Sequence, residues 1–414
     1  MNWNRRRFSK TVATSVAAAA LSNKLHARQS PNETIQIGCI GTGGRCQELM
    51  RSLLQIPDVR IVAVCDIWDV RLEQANDLAG GDAFITRDYH DLLELDEVDA
   101  VVIGSPDHWH VPMTIDACNA KKDVYVEKPL THKLSEGMAV IEAQNKNQRV
   151  VQVGMQQRSM PHIQEAYEIL KSGALGDIHK VHLTWNRNVP DLRRVDRGID
   201  PGTVDWKRFL GNAPERPFDD YILIANWRWF WDFGGGILTD LMVHYLDVAH
   251  WFMEVDHPAS ASTIGDHVQG EGVWEAPDCI QTLLHYPEKK LEIYFEGTFY
   301  NRRNRAMMEF MGSNATLYMD RGRYEIHPEN DKGKYRELIL GSGDRGADFY
   351  DNPKGELLHL QNWIEAIRAR KKPNTPAEAG VSAAGAAHLG NISFRENKKA
   401  FWDEEMETNL PAQE

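Results

Sequence analysis

The chain has 414 residues, 42% of them hydrophobic, and carries a formal net charge of -13 from 47 basic and 60 acidic residues. This length exceeds what one hydrophobic core usually fills, so two domains are expected. The acidic balance works against phosphate backbones and anionic lipid surfaces as general partners, and we expect no nucleic-acid partner.

The N-terminus departs from this acidic composition. A basic cluster from Asn4 to Lys10, which includes Arg5 and Arg6, precedes an Ala-rich apolar segment from Thr11 to Leu21 and then Leu25-His26-Ala27. The pattern predicts a twin-arginine export signal and linker over residues 1–32, cleaved near Ala27, and hence a periplasmic protein. The apolar segment is too short for a stable anchor, so no membrane span is expected after cleavage. An uncleaved or lipid-tethered form and a disordered basic tail are the alternatives.

Residues 33–155 alternate short β-branched runs with helix-length segments, which predicts right-handed crossovers and a doubly wound parallel Rossmann sheet. Its strands are predicted at Ile35 to Ile40, Arg60 to Asp66, Ala100 to Gly104, Val124 to Val126 and Val150 to Val153. Four of the five cysteines fall in this part without a C-x-x-C pair, so we expect buried free thiols rather than disulfides or a zinc ribbon.

Residues 156–414 have longer alternating strands, which predict a C-terminal α/β domain with a large, mostly antiparallel open sheet and one covered face. These strands are predicted at Ile178 to Trp185, Ala259 to Val268, Cys279 to Tyr286, Lys290 to Phe299 and Met307 to Tyr318. Two helices are expected near the end, at about Gly355 to Arg370 and Val381 to Asn397. The overall class is α/β, with two lobes and a cleft between them.

A glycine-rich turn follows the first strand directly. Gly41, Thr42, Gly43, Gly44 and Arg45 lie between this strand and a helix, where a backbone can approach a pyrophosphate at the helix N-terminus. The third glycine of the usual fingerprint is replaced by Cys46, and a tight turn without a ligand is the alternative. Asp66 ends the second strand about 20 residues further on, where a carboxylate binds a ribose 2′-hydroxyl and repels a 2′-phosphate. NAD is therefore favoured, and NADP is the alternative because Arg45 and Arg71 stand near the loop.

Two later loops follow parallel strands and are expected to face the cofactor, since ligands bind outside the carboxyl ends of such strands. The first contains Ser105, Pro106, His108 and His110, and the second is Glu127-Lys128-Pro129. We assign Ser105, Pro106, His110, Glu127 and Lys128 to the cofactor site. A zinc site at His108, His110, Asp240 and His244 is an alternative, but no H-E-x-x-H motif accompanies them, so no metal is predicted.

The predicted helix from Ile237 to Phe252 follows three glycines and carries Asp240 and His244 one turn apart on one face. Histidine accepts a hydroxyl proton near neutral pH, and a lysine supplies a fixed positive charge for the same oxygen. A capping acid and a structural histidine are the alternative. The aromatic run from Trp227 to Phe233 indicates either a sugar-stacking surface or a core or dimer contact.

These motifs resemble those of the Gfo/Idh/MocA family, named after glucose-fructose oxidoreductase and inositol dehydrogenase, from about Thr34 to Trp402. The motifs that carry the resemblance are the Gly41 to Arg45 loop, Ser105-Pro106 with His110, Glu127-Lys128-Pro129, Gly235 to Asp247, and Leu389 to Ser393 with Trp402-Asp403. The resemblance implies a catalytic cleft with Lys128, Asp240 and His244, and a homo-oligomer, because the family's open sheet often makes oligomer contacts. Cys46, and Met242 where glycine is frequent, depart from the family pattern.

The predicted function is an exported oxidoreductase that transfers hydride between a saccharide or glycoside hydroxyl carbon and a tightly held nicotinamide cofactor. We expect His244 to accept the hydroxyl proton, Lys128 to hydrogen-bond the same oxygen and Asp240 to orient either group; Lys128 as the base is the alternative. Two other functions stay open. One is a NAD-dependent glycoside-cleaving enzyme acting by transient C3 oxidation and elimination, and the other is a non-catalytic sugar-binding protein.

Overall fold

The computed structural model describes residues 34–189, 191–330, 334–340, 343–348, 351 and 355–403. The predicted export signal lies outside the described residues. Within these ranges, no helix combines the length and the apolar character needed to cross a membrane.

The N-terminal domain is a doubly wound sheet of six parallel strands in the order β3-β2-β1-β4-β5-β6. Its strands are apolar on both faces because helices cover both sides, as expected for parallel sheets. The strands are β1 Ile35–Ile40, β2 Val59–Cys65, β3 Phe84–Thr86, β4 Ala100–Ile103, β5 Asp123–Val126 and β6 Val151–Val153. The helices are α1 Gly44–Leu53, α2 Asp69–Ala79, α3 Tyr89–Leu93, α4 Asp107–Asn119 and α5 Gly137–Asn147. The order of the strands confirms the predicted Rossmann fold.

The C-terminal domain contains a nine-stranded sheet in the order β14-β13-β12-β11-β7-β10-β9-β8-β15. Only β7 and β10 pair in parallel, and every other neighbouring pair is antiparallel. The strands are β7 Ile178–Asn186, β8 Ser260–Asp266, β9 Cys279–Tyr286, β10 Leu291–Thr298, β11 Ala306–Gly312, β12 Ala315–Met319, β13 Arg323–Pro328, β14 Arg336–Ile339 and β15 Ala400–Phe401. The predicted mostly antiparallel sheet is confirmed.

The remaining helices join the two domains and cover one face of the second sheet. They are α6 Pro161–Lys171, α7 Trp206–Leu210, α8 Asp220–Leu223, α9 Val243–Met253, α10 Glu356–Ala369 and α11 Ala377–Arg395. Helix α10 inserts Leu360 and Trp363 into the apolar cluster of the Rossmann domain. Helix α11 spans both domains, and a Cβ at its Gly380 would lie only 2.7 Å from Val153, so only glycine permits this close approach.

Two sequence predictions about the elements were wrong in detail. The segment from Met307 to Tyr318 is two strands, because the chain turns at Ser313 and Asn314 so that β11 and β12 pair with each other. The second C-terminal helix begins at Ala377 rather than Val381, directly after Pro376. A proline fits the position before a first turn, where no amide hydrogen is needed.

Candidate active site

The turn after β1 forms the floor of a cleft between the two domains. Gly41 has a φ of 71°, and a Cβ there would lie 2.6 Å from the backbone nitrogen of Ser105. Added Cβ atoms at Gly43 and Gly44 would meet no atom within 4 Å, so their backbone is open to a ligand. Helix α1 begins at Gly44 and points the positive end of its dipole at this space. The turn therefore fits a pyrophosphate.

Asp66 follows β2 at the same edge of the sheet and is held in place by two donors. The Thr42 hydroxyl donates to its Oδ2 at 3.3 Å, and the backbone N–H of Trp68 donates to its Oδ1 at 3.0 Å. Burial nevertheless raises the pKa of this carboxyl to about 6. A buried carboxylate at this point suits the hydroxyls of a ribose and disfavours a phosphate.

The cleft has a volume of about 480 Å³ and has walls from both domains. The Rossmann wall contains seven of the predicted cofactor residues, namely Gly41, Gly43, Gly44, Arg45, Asp66, Ser105 and Pro106. The opposite wall comes from the C-terminal domain and includes Arg208, Phe209, Leu223, Ile224, Ala225, Trp227 and Arg228. The size and the chemistry of these walls fit a nicotinamide dinucleotide.

The other predicted cofactor residues lie behind the cleft wall. Thr42 is fully buried next to Asp66, and Glu127 accepts a hydrogen bond from Arg45 Nε at 2.9 Å. The ring nitrogens of His110 lie 2.6 Å from the Pro129 carbonyl oxygen and 2.9 Å from that of Ser105. Thr42, His110 and Glu127 therefore hold the two cofactor loops in position, and direct cofactor contact by them stays a prediction.

Lys128 and Asp240 come together where the cleft meets the second domain. Lys128 Nζ donates to Asp240 Oδ1 and to the Asp240 carbonyl oxygen, each at 2.7 Å. Both side chains are largely buried, with 9% and 15% of their surfaces exposed. The two hydrogen bonds fix the position of Nζ.

His244 is 1% exposed, and the positive charge of Lys128 acts on its imidazole ring. Burial lowers the pKa of His244 well below its ordinary value, and the positive charges of Lys128, Arg321, Arg45 and Arg187 lower it further. The imidazole is therefore neutral at neutral pH. Its ring centroid lies 5.6 Å from that of Trp185, which comes from β7 under the site.

The helix that carries Asp240 and His244 departs from the prediction of one regular helix over Ile237 to Phe252. Residues Leu238–Met242 form a π-helical segment, and the α-helix α9 follows it. Such segments contain a residue more per turn than an α-helix and are frequent at functional sites. The carbonyl oxygen of Asp240, within this segment, is the one that accepts from Lys128.

Two charged residues of the site were not assigned a role from the sequence. Arg228 Nε donates to Asp240 Oδ1 at 3.0 Å, so Asp240 is shared by two cations. Asp107, 3% exposed, faces Lys128, Arg228 and Asp240, and burial raises its pKa well above the ordinary value. Asp107 was visible in the motif after β4, whereas only folding brings Arg228 to Asp240.

The aromatic run from Trp227 to Phe233 belongs mainly to the hydrophobic core. Trp229 stacks on Trp274 at 4.4 Å between ring centroids, and Phe230 and Phe233 are buried. Trp227 is the member that lines the cleft. The run is therefore chiefly structural, with one aromatic face at the site.

His108 bonds a backbone oxygen of the C-terminal domain. Its Nε2 lies 2.9 Å from the Phe209 carbonyl oxygen, and burial lowers its pKa to about 3. Among the described residues, no group of three or more His, Cys, Asp or Glu side chains is arranged to hold a metal ion.

A segment of the C-terminal domain, residues 204–211, lies across the Rossmann loops and is here named the strap. Its Asp205 N–H donates to the Ile67 carbonyl oxygen at 2.8 Å, and Arg208 donates to Asp88 at 3.0 Å. The Phe209 carbonyl oxygen accepts from Trp109 Nε1 at 3.0 Å. The strap thereby closes one side of the cleft.

A dinucleotide cleft bounded by a Rossmann domain and an α/β domain defines a two-domain oxidoreductase. The chain belongs to the Gfo/Idh/MocA oxidoreductase family, because residues 35–155 match the family's NAD-binding Rossmann fold and residues 168–400 match its C-terminal alpha/beta domain. The predictions of the family and of an NAD-binding domain are confirmed.

The chain spans about half the length of the first curated relatives it matches. Inositol 2-dehydrogenase of Rubrobacter xylanophilus is 29% identical over 226 residues, which are 54% of this chain and 53% of the relative. Myo-inositol 2-dehydrogenase of Thermotoga maritima is 24% identical over 383 residues, which are 89% of this chain and 99% of the relative.

A solved structure of levoglucosan dehydrogenase with NADH and levoglucosan has the same fold. It superposes with a TM-score of 0.69 at 16% identity and covers 89% of this chain and 99% of its own. An aldose-aldose oxidoreductase from Caulobacter crescentus gives 0.68 at 17% identity, over 89% of this chain and all of its own (100%).

Proposed function

We propose that the protein is an NAD-dependent dehydrogenase that transfers hydride between a saccharide or glycoside hydroxyl carbon and a tightly held cofactor. The observation that carries this proposal is the buried Lys128 and Asp240 pair beside neutral His244, next to a cleft that fits a dinucleotide. A hydroxyl oxygen that loses its proton as its carbon loses hydride needs such a set of groups.

The chain's own residues divide the work as follows. NAD, when bound, takes up the hydride. Lys128, held in place by Asp240, hydrogen-bonds the substrate oxygen and stabilises the negative charge that develops there. His244, neutral at the start, accepts the hydroxyl proton. The low pKa of His244 makes it a weak base while four cations surround it, so Lys128 as the proton acceptor stays the alternative assignment.

The relatives support a polyhydroxylated substrate. The inositol dehydrogenases act on a cyclic polyol by name, and the levoglucosan dehydrogenase structure contains a sugar. Trp227, at the cleft wall, offers one aromatic face for the C–H side of such a ring.

A NAD-dependent glycoside-cleaving activity is the second candidate. One relative, a glycosyl hydrolase family 109 protein of Shewanella woodyi, is 30% identical over 124 residues, which are 28% of this chain and 27% of the relative. In that case transient oxidation at C3 acidifies the C2 proton, the leaving group is eliminated and the cofactor is restored. A non-catalytic sugar-binding protein is the least supported candidate, because it would have no use for the Lys128 and Asp240 pair.

The first experiment is to denature the purified protein and analyse the released nucleotide by mass spectrometry, followed by a glycoside screen. Bound NAD and a keto-sugar product support the dehydrogenase, whereas a free aglycone with unchanged cofactor supports glycoside cleavage. NADP in place of NAD would overturn only the role given to Asp66. A protein that binds neither nucleotide, even when it is added, contradicts both candidates.

Export to the periplasm is part of the proposal and is supported by Arg5 and Arg6 before the Ala-rich segment. Twin-arginine export carries folded proteins, so a cofactor acquired in the cytoplasm travels in its site. Replacing both arginines with lysine should trap the precursor in the cytoplasm. An unchanged periplasmic yield would rule out this route.

We also propose a homo-oligomer, formed through the outer face of the second sheet. Ile264 is 74% exposed and Leu283 is 42% exposed on the neighbouring strands β8 and β9. An apolar pair on an open sheet suits a self-association surface. Light scattering after size-exclusion chromatography should give a multiple of the chain mass, and Ile264→Glu should lower it.

A further inference from the structure

We propose that Arg228 is a positioning residue for hydride transfer, which holds Asp240 from the cofactor side while Lys128 holds the same oxygen from the other side. The proposal rests on the function proposed above and assigns a role within the same site.

The geometry of Asp240 is the first support. Its Oδ1 accepts from Arg228 Nε at 3.0 Å and from Lys128 Nζ at 2.7 Å. One carboxylate oxygen between two cations has little rotational freedom, because turning toward either cation lengthens the bond to the other. Arg228 is therefore placed to fix the direction from which Asp240 meets Lys128.

Arg228 is itself held rigidly in the cleft wall. Its Nη1 donates to the Ala225 carbonyl oxygen at 3.1 Å, and its guanidinium carbon lies 4.1 Å from the Trp227 ring centroid. Ala225 has a φ of 94°, a left-handed value that is uncommon for a residue with a side chain and costs energy. The strained Ala225 lies in a short turn. In this turn the Ala225 carbonyl oxygen and the Trp227 ring together orient the Arg228 guanidinium.

The glycine motif before the π-helical segment makes room for this turn. A Cβ at Gly234 would lie 2.8 Å from the Cα of Arg228, so a larger residue would displace the Arg228 backbone. The first of the three glycines therefore serves Arg228 as well as the turn into the helix.

Arg228 also connects Asp240 to the cofactor cleft. Its side chain is 26% exposed and belongs to the cleft lining, whereas the Lys128 side chain is only 9% exposed. Guanidinium groups are planar and make directed bonds, whereas an ammonium group is a freely rotating point charge. Arg228 thus supplies the direction of the Asp240 carboxylate, and Lys128 supplies the charge that the substrate oxygen meets.

Several charged side chains face Asp240 and set the pKa of its carboxyl group. They are Lys128 after β5, Arg228, Arg187 after β7 and Asp107 at the start of α4, with His244 on the same helix. Burial by itself would raise the pKa of Asp240, but Lys128 and Arg228 oppose it and hold the pKa at about 2. Removing Arg228 therefore raises the pKa of Asp240.

The test measures single-turnover reduction of bound NAD, from pH 5 to 9, with the saccharide that the parent oxidises. Arg228→Ala should slow this step by about tenfold to a hundredfold, the scale of a small misplacement of reacting groups. Arg228→Lys should recover part of the rate, because it returns a cation to Asp240. Arg228→Ala combined with Asp240→Asn should be no slower than Asp240→Asn alone, because both changes break one interaction. Arg216→Ala, which removes a pair with Asp232 in the same region, should keep the parent rate and pH profile.

Additive losses in the double variant, or no recovery of rate in Arg228→Lys, would overturn the positioning role. A parent that oxidises no saccharide contradicts the proposed function instead. Arg228 is then judged by a crystal structure of Arg228→Ala with NAD, in which Asp240 should leave its position against Lys128. An Asp240 that stays in place would refute the proposal without any turnover measurement.

Discussion

Lys128 meets Asp240 through both a carboxylate and a backbone oxygen, and His244 is kept neutral nearby. We expect Lys128→Ala and His244→Ala each to slow the hydride step by about a hundredfold or more, since each removes a group that interacts with changing charge. Asp240→Asn should slow the hydride step by a smaller factor. Rapid-mixing measurement of cofactor reduction isolates this step from product release.

Lys133→Ala is a suitable control for these variants, because Lys133 is exposed and close in sequence to Lys128. Circular dichroism and nucleotide content should be unchanged in all four proteins. If both alanine variants reduce the cofactor at the parent rate, the assignment of the catalytic residues is wrong.

Asp66 gives the cofactor site a pH dependence. Its pKa in the protein is raised to about 6 from an ordinary value of 3.8, so the NAD-free protein loses this group's contribution to stability as the pH rises through that window. Binding has the opposite sign, because the ribose hydroxyls need the charged carboxylate as acceptor. The affinity for NAD should therefore fall as the pH drops below about 6, by at most about tenfold per pH unit.

Calorimetric titration between pH 5 and 8 measures this effect. Asp66→Asn should bind NAD more weakly and with no such pH dependence. Asp69→Asn removes a more exposed carboxylate, which pairs with Arg87. This variant should keep the pH dependence of NAD binding. A flat profile in the parent would contradict the role given to Asp66.

Individual residues were predictable from the sequence where their position along one element defined them. Asp66 at the end of β2 and Lys128 after β5 could be assigned because parallel strands share one functional edge. Arg228 could not, since its partner Asp240 lies in another element and the contact exists only after folding. His110 and Glu127 lie in the loops behind the cleft wall, and the sequence does not say which side of a loop a side chain occupies.

Helix α9 is fastened to the start of the second domain by a buried ion pair. Arg158 bonds both carboxylate oxygens of Asp247, with Nε to Oδ2 at 2.8 Å and Nη2 to Oδ1 at 2.7 Å. Asp247 is fully buried, and although burial raises its pKa, Arg158 favours its charged form. Asp247→Ala leaves a largely buried arginine without this partner and should lower the free energy of unfolding by roughly 3–5 kcal/mol.

Urea denaturation followed by tryptophan fluorescence measures this loss. Glu254→Ala is the matched control, because Glu254 pairs with Lys171 just beyond the end of the same helix but at the surface. That variant should unfold at nearly the parent urea concentration. If the two variants lose the same free energy of unfolding, the contribution of the Asp247 pair to stability does not depend on its burial.

Strands with a clear apolar or alternating residue pattern were predicted well. Strands that depend on pairing with a neighbouring strand were not. The apolar strands of the Rossmann sheet and the alternating β9 have the expected patterns. The turn between β11 and β12 was missed, although Gly312, Ser313 and Asn314 are residue types that favour turns. Strand β15 has two residues and exists only because β8 offers an edge.

At the scale of the whole molecule, both domains contribute to the cofactor site, because the strap of the C-terminal domain contacts the loops of the Rossmann domain. We expect contacts of the strap such as Arg208 with Asp88 to slow the release of NAD. Arg208→Ala should speed the release of NAD by up to about fivefold, because a half-exposed ion pair contributes at most about 1 kcal/mol. Displacement of bound NADH, followed by its fluorescence, gives the rate.

Arg193→Ala provides the comparison, since Arg193 forms an exposed pair with Asp191 outside the cleft lining. Its release rate should equal that of the parent. Unchanged release from Arg208→Ala would mean that the strap does not limit cofactor exchange.

The two-lobed organisation was predictable from the change in strand pattern, but the dependence of one lobe on the other was not. Leu360 and Trp363 of α10 complete the Rossmann core although they come more than 200 residues after its last strand. Nothing in a local pattern identifies which core an apolar helix face will join. The sequence establishes that the face is buried, and tertiary packing decides where.

The π-helical segment Leu238–Met242 makes the active site depend on a count of residues as well as on their identity. An α-helix turns by about 100° and rises by about 1.5 Å per residue, so deleting one residue between Asp240 and His244 would replace the wide turn by a regular one and shift Asp240 relative to His244. Asp240 would then lose both Lys128 and Arg228 while every side chain of the site remained encoded. A descendant of this protein could thus lose its chemistry through one codon without losing any catalytic residue.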